Sequence, residues 1–252
     1  MAYKLALIGG EEFSDDFEGI HDGLVTALGG KPRVVFLPTP AAHDGIEIVE
    51  HWCSLAREKL SALGAIVDTP RIIDRDSAND PRHAQQVAEA DWVYLGGGHA
   101  HVALPILQDT KVLEAILSAK GRGALISGAS AGAMMMGAQA IVITPELLED
   151  VGKYWESGAP PEWDPPMPPL IPALSWLSQT IVAPHFDRPW FSRKWLERDF
   201  LADGFMLIGI DERTTLAQNS NGEWEVFGRG AVTLYKQGHE IARYAVGNTL
   251  TF

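Results

Sequence analysis

Cysteine is nearly absent: Cys53 stands alone in 252 residues, so the chain can form no intrachain disulfide and no cysteine-built metal site. Cys53 falls in an amphipathic stretch over 46–63 with no glycine-rich turn beside it, and reads as a buried helix residue rather than a nucleophile. Long apolar runs are missing too. None approaches the roughly 18 residues that a membrane helix needs. The opening Met1-Ala2-Tyr3-Lys4 leads into a short strand rather than a secretion signal, so a cytoplasmic protein without a membrane partner is expected. Basic residues are scarce: 20 Lys and Arg against 33 Asp and Glu give a net charge of -13. Nucleic-acid binding depends on Lys and Arg displacing counterions from phosphates, so nucleic acid is not an expected partner. An anionic substrate would need cations built into its site.

What is present is an ordinary globular composition, 46% hydrophobic and 21% charged. β-rich runs at 4–8, 33–37, 65–68, 92–95, 124–126 and 180–183 are separated by amphipathic stretches, notably 45–63, 81–89 and 101–119. That is the pattern of buried parallel strands joined by crossover helices. The expected fold is α/β, a doubly wound, mostly parallel sheet with helices on both faces. Beyond residue 203, runs at 205–210, 215–218, 224–227 and 231–235 are divided by turn residues such as Asn219-Ser220-Asn221-Gly222 and predict C-terminal antiparallel hairpins. The length suits one domain, 1–252, with an insertion at 153–172. Within it, 159–172 carries seven of the sixteen prolines together with Trp163 and Met167, which predicts a loop placed to act as a lid.

In doubly wound sheets the chemistry gathers beyond the carboxyl ends of the strands. Residues 124–138 have the form of a nucleophile elbow there. Ala124-Leu125-Ile126 supplies a strand, Gly128 and Gly132 flank Ser130 two residues to either side, and Ala131 opens a helix. Gly96-Gly97-Gly98 follows another strand. It lacks the lysine of a phosphate loop and the dinucleotide fingerprint, and reads either as bare backbone N–H groups for an oxyanion or as a close backbone crossing. Gly98 and Ala131 are the expected oxyanion donors, with Gly97 and His99 beside them toward substrate. Of eight histidines, His185 alone directly follows a strand-like run on the site side, which makes it the candidate base; the pair His99 and His101 is taken as structural, with no metal or other cofactor expected.

Taken in order, Gly9-Gly10, Phe36-Leu37-Pro38-Thr39, Gly96-Gly97-Gly98, Gly128-Ala129-Ser130-Ala131-Gly132-Ala133, Pro184-His185-Phe186, Gly209-Ile210-Asp211-Glu212 and Gly228-Arg229-Gly230-Ala231-Val232 resemble the dipeptidase E and cyanophycinase family of serine peptidases. The fold of that family is similar to class I glutamine amidotransferases. The resemblance spans most of the chain and implies an exopeptidase acting on short peptides, among them acidic ones, through an acyl-enzyme on Ser130 with His185 as base. The third catalytic residue of the family, an acid on the strand after the elbow helix, aligns best with Glu146; Glu149 and Asp150 stay open. An arginine after His185 would hold a substrate carboxylate, with Arg193 preferred over Arg188 and Arg198 in a stretch, 190–201, of helical pattern. Two other readings remain: an α/β-hydrolase esterase with its late base at His239, and a catalytically silent binding module on the same fold. Self-association is left open.

Overall fold

A computed structural model describes residues 3–14, 20–155 and 157–251. In its first sheet β1 (Tyr3–Ile8), β5 (Leu125–Ala129), β4 (Trp92–Leu95), β2 (Arg33–Leu37) and β3 (Ile66–Asp68) run parallel in that spatial order. From the other side of β1 the sheet continues antiparallel through β10 (Thr214–Asn219), β11 (Trp224–Gly228) and β14 (Thr249–Leu250). Side chains on successive residues of a strand point to opposite faces, and here both faces are covered. Leu5 and Leu7 join Val35 and Leu37 in one apolar cluster with α5 (Ala100–Leu107) and α6 (Lys111–Gly121). Ala6, Ile8, Val34 and Phe36 face the other way, onto α1 (Ile20–Leu28) and α2 (Ile46–Ala62). The buried stripe of α2 is Val49, Cys53, Ala56 and Leu60, the three-and-four spacing of a one-faced helix. Burying a side chain such as Leu60 contributes roughly 1.5–3 kcal/mol.

A second sheet was not expected. Residues 180–183 form β8 (Thr180–Ala183), which leaves the first sheet and pairs in parallel with β6 (Gln139–Ile141) and β9 (Met206–Ile210). The reason is that the edge of β1 opposite β5 is taken by β10 over five register pairs, so β8 has no partner there. Antiparallel β7 (Leu170–Pro172), β12 (Ala231–Lys236) and β13 (His239–Ala245) complete this sheet, and the expected hairpin strands are shared between the two sheets. Ile181 and Leu207 of the second sheet lie in the same apolar cluster as Leu5 and Val93 of the first.

Other departures are local. The stretch 101–119 breaks into α5 and α6 because Asp109 turns left-handed at φ 54° and the Thr110 hydroxyl accepts the Leu113 N–H, capping a new helix. The proline-rich stretch ends in a strand after all, with Leu170–Pro172 on the sheet edge where proline is tolerated. Its loop is anchored, not free. The Trp163 indole donates to Asp150 on α8 (Pro145–Tyr154), the Trp195 indole donates to the Pro165 carbonyl, and Arg198 pairs with Asp164 at 2.8 Å. The predicted helix over 190–201 contracts to a 3-10 turn, Arg193–Arg198. Among the described residues, no helix is long and apolar enough to cross a membrane.

Candidate active site

At the end of β5 the chain turns so sharply that Ser130 is held at φ 51°, ψ -114°, immediately before α7 (Ala131–Met135). A side-chain-bearing residue leaves the ordinary regions only when its surroundings enforce it. The Ser130 N–H is tied to the Ile8 carbonyl at 3.0 Å, and a Cβ on Gly128 would overlap the Gly132 carbonyl, so the glycine lets the turn close. The N–H groups of Gly97, Gly98 and Ala131 meet no other described residue in a hydrogen bond, and Gly97, Gly98 and Ser130 share one cleft wall. They have the chemistry of oxyanion donors.

His185 arrives from the other sheet. β8 ends at Ala183, and the His185 N–H donates to the Gly9 carbonyl at 2.8 Å, fastening the end of β8 to the end of β1. The imidazole lies where a Cβ on Gly10 would stand; any larger residue at 10 would displace it. Nε2 is 3.0 Å from Ser130 Oγ and Nδ1 is 2.9 Å from Glu212 Oε1. A carboxylate can only accept, so Nδ1 carries the ring proton and donates it, leaving Nε2 to accept from the serine hydroxyl. Trp155 packs edge-on to the ring, with centroids 5.4 Å apart, and the Trp190 indole donates to the Pro184 and His185 carbonyls.

The carboxylate that meets His185 is therefore that of Glu212, not Glu146. Glu146 is exposed on the first turn of α8, Glu149 pairs with Lys153 at 2.8 Å, and Asp150 binds Lys153 and Trp163; none meets His185. Glu212 lies just past β9, its side chain only 3% exposed. Its N–H donates to Asp187, and its second oxygen accepts from Arg188 Nε at 2.6 Å. Burial pushes its carboxyl up, but the hydrogen bonds and charges of His185 and Arg188 outweigh that and hold it below the usual carboxylate value. The signal was in the sequence: Gly209-Ile210-Asp211-Glu212 ends a strand-like run with two acids. Proximity to the elbow points to Glu146, whereas the carboxylate that meets His185 comes 27 residues after the histidine.

Two clefts meet at the Ser130–His185 pair. One, of about 400 Å³, is lined among the described residues by Glu11, Glu12, Phe13, Ser14, Trp52 and Leu55 along with Gly97 and Gly98. The other, about 150 Å³, is walled by Met134, Ile143, Leu148, Val151, Trp155 and Trp190, with His99 at its rim. Gly97 and His99 thus border the site as expected. His99 Nε2 faces Asp44 at 3.2 Å, while Nδ1 is buried without a hydrogen-bond partner among the described residues. Arg193 lines neither cleft: it stacks over the Phe186 ring, 5.1 Å from its centroid, because the turn that carries it is a 3-10 turn directed back onto the second sheet. The cation that reaches the site is Arg188, and it is engaged by Glu212. Among the described residues, α8 lines the smaller cleft through Leu148 and Val151, and neither cleft is lined by 159–172. His239 is exposed at the start of β13 and does not approach Ser130, whose hydroxyl meets His185. Among the described residues no group of three His, Cys, Asp or Glu side chains is arranged to hold a metal ion.

The sequence pattern described as Peptidase family S51 matches residues 5–221. Among solved structures, a peptidase from an acI-B1 actinobacterium superposes with a TM-score of 0.80 at 23% identity, covering 98% of this chain and 96% of the other. A putative peptidase E protein from Listeria monocytogenes EGD-e does so with a TM-score of 0.57 at 16% identity, covering 89% and 96%. At such identities the likeness is one of fold, an α/β arrangement of helix-flanked sheets. No curated protein matches the sequence.

Proposed function

Because the chain belongs to peptidase family S51 and is a serine-type peptidase, we propose that Ser130, His185 and Glu212 are its catalytic triad and that it hydrolyses short peptides as an exopeptidase. The observation that carries this reading is the single imidazole bridging Ser130 Oγ at 3.0 Å and Glu212 at 2.9 Å, the relay a weakly nucleophilic hydroxyl requires near neutral pH. Ser130 Oγ attacks the scissile carbonyl carbon while its proton passes to His185 Nε2. The carbonyl oxygen, now anionic, is met by the N–H groups of Gly97, Gly98 and Ala131. As the C–N bond breaks, the imidazolium returns the proton to the departing amine, leaving an ester on Ser130. Water then repeats the sequence and frees the serine. Glu212 keeps Nδ1 protonated and offsets the charge on the ring, and Arg188 keeps Glu212 ionised and in place.

The small size of both clefts supports short substrates. The test is labelling with a neutral fluorophosphonate, read by mass at Ser130, beside peptide hydrolysis. Wild type should label and cleave, and Ser130→Ala should do neither, with kcat lowered on the order of 10³-fold or more. Folded wild type that neither labels nor cleaves would favour a silent binding module, and labelling that survives in His185→Ala but is lost in His239→Ala would favour the esterase arrangement.

A further inference from the structure

The larger cleft carries a charge of the wrong sign for an acidic substrate. Its described lining holds two glutamates and no Lys or Arg, and the smaller cleft has no Lys or Arg either. Glu11 is exposed and lies 3.9 Å from Arg213. Glu12 is different: it is 5% exposed, lines the cleft, and makes no ion pair or side-chain hydrogen bond with another described residue. Burial pushes its carboxyl up, against the lowering effects of its own backbone N–H and of His185. A carboxylate buried without a cation is costly, and a cation delivered by a ligand removes much of that cost.

Glu12 is also close to the reacting atoms. The position that a Cβ would take on Gly97 is 3.8 Å from Glu12 Oε1 and 3.5 Å from Ser130 Cβ, so the carboxylate and the nucleophile flank the same small space. An α-amino nitrogen stands about 2.5 Å from its own carbonyl carbon, short enough for the amine of the acyl residue to reach Glu12 while its carbonyl meets Ser130. The cleft is wider than an amine alone requires. Trp52, Phe13 and Leu55 wall it, surfaces that suit the aliphatic stem of a basic side chain and a cation over an aromatic face.

We propose that this cleft is a cation subsite in which Glu12 binds an ammonium or guanidinium group of the substrate next to the scissile bond. This rests on the peptidase reading above. The cation has two sources, the free amino terminus or a Lys or Arg side chain, and the experiment separates them.

Aminoacyl p-nitroanilides of lysine, norleucine and aspartate, each free and N-acetylated, would be hydrolysed by wild type and by Glu12→Gln, and the ratio of kcat/KM for cationic and neutral substrates taken within each protein. Wild type should favour the cation roughly tenfold or more, the value of one charge-assisted contact, and the ratio should collapse in Glu12→Gln. A loss on acetylation alone identifies the amino terminus, and a loss from lysine to norleucine alone identifies the side chain. Equal use of all three residues whether or not they are acetylated, or a ratio unchanged in Glu12→Gln, overturns the proposal. Calorimetric binding of lysine amide, norleucine amide and acetyl-norleucine amide to folded Ser130→Ala reads the same subsite without turnover. Hydrolysis and Ser130 labelling with no charge discrimination would sink the subsite alone, whereas failure of both with charge-selective binding intact would sink the peptidase reading and leave the subsite standing.

Discussion

Glu212→Gln isolates the acid of the proposed triad, because the geometry dictates how the amide must sit. In the wild type both carboxylate oxygens accept, one from His185 Nδ1 at 2.9 Å and one from Arg188 Nε at 2.6 Å. Glutamine offers one oxygen and one NH₂ group. The two donors facing it cannot both be satisfied, and the permanently charged guanidinium makes the stronger claim on the oxygen. The NH₂ group then points at Nδ1, which must become the acceptor, and the ring proton moves to Nε2. There it can no longer take the proton of Ser130. Loss of the correct tautomer in such a triad lowers kcat on the order of 10⁴-fold, equivalent to about 5.5 kcal/mol of transition-state stabilisation. KM should change little, since Glu212 lines neither cleft. Steady-state kinetics on a neutral substrate, with circular dichroism to establish folding, is the assay, and Glu146→Gln is the internal control with near wild-type rates. A Glu212→Gln enzyme within tenfold of wild type, or an equal fall in Glu146→Gln, would refute the assignment.

His21 is buried against Tyr94, with Nε2 3.2 Å from the phenol oxygen, and burial lowers its pKa to about 4. It stays neutral in the fold but charges in the unfolded chain, so stability should be lost as pH falls from about 6.5 toward 4, by roughly 3 kcal/mol in all; urea titrations of His21→Phe should show a flatter acid limb, and an unchanged one would contradict this. Glu12 has the opposite linkage: a raised carboxyl favours the fold while protonated and destabilises it as pH climbs from the ordinary carboxylate value through the raised one. Glu12→Gln should therefore raise Tm at pH 8 more than at pH 4, and a Tm gain that is the same at both would show that the charge is not the cause. Arg193→Met, which removes a side chain stacked on Phe186 outside both clefts, should leave KM for aspartyl peptides within about twofold; a rise of tenfold or more would return it to the site. Replacing Leu148 in the apolar cleft by Asp should raise KM for peptides with a large apolar residue while sparing fluorophosphonate labelling, and equal loss of both would mean that α8 is disrupted instead.

Much of the architecture was legible along the chain because the forces behind it are local. Continuous apolar strands, the three-and-four spacing of α2 and the Gly-x-Ser-x-Gly elbow at 128–132 each declare themselves within a dozen residues. His185 stands out by the same logic, as the histidine that directly follows a strand. What the sequence did not reveal was where strands of similar composition would pair. Thr180–Ala183 reads as one more parallel strand, and only the occupation of the β1 edge by β10, a strand more than 200 residues away, sends it to a second sheet. That choice makes the site a junction between sheets, with the serine on one and the histidine and its acid on the other. Glu212 and the sign of charge in the larger cleft followed from it. A carboxylate becomes a triad acid, or a cation receptor, through what surrounds it after folding, and no spacing along the chain records those distances. The sequence by itself marked the turn that carries Ser130, the histidine that follows a strand and the class of fold, since each is written in short stretches of chain. The tertiary structure alone decided which carboxylate meets His185, the place of Arg193 outside both clefts and the burial of Glu12 with no ion-pair partner among the described residues, because pairing and burial are set by residues that meet only on folding.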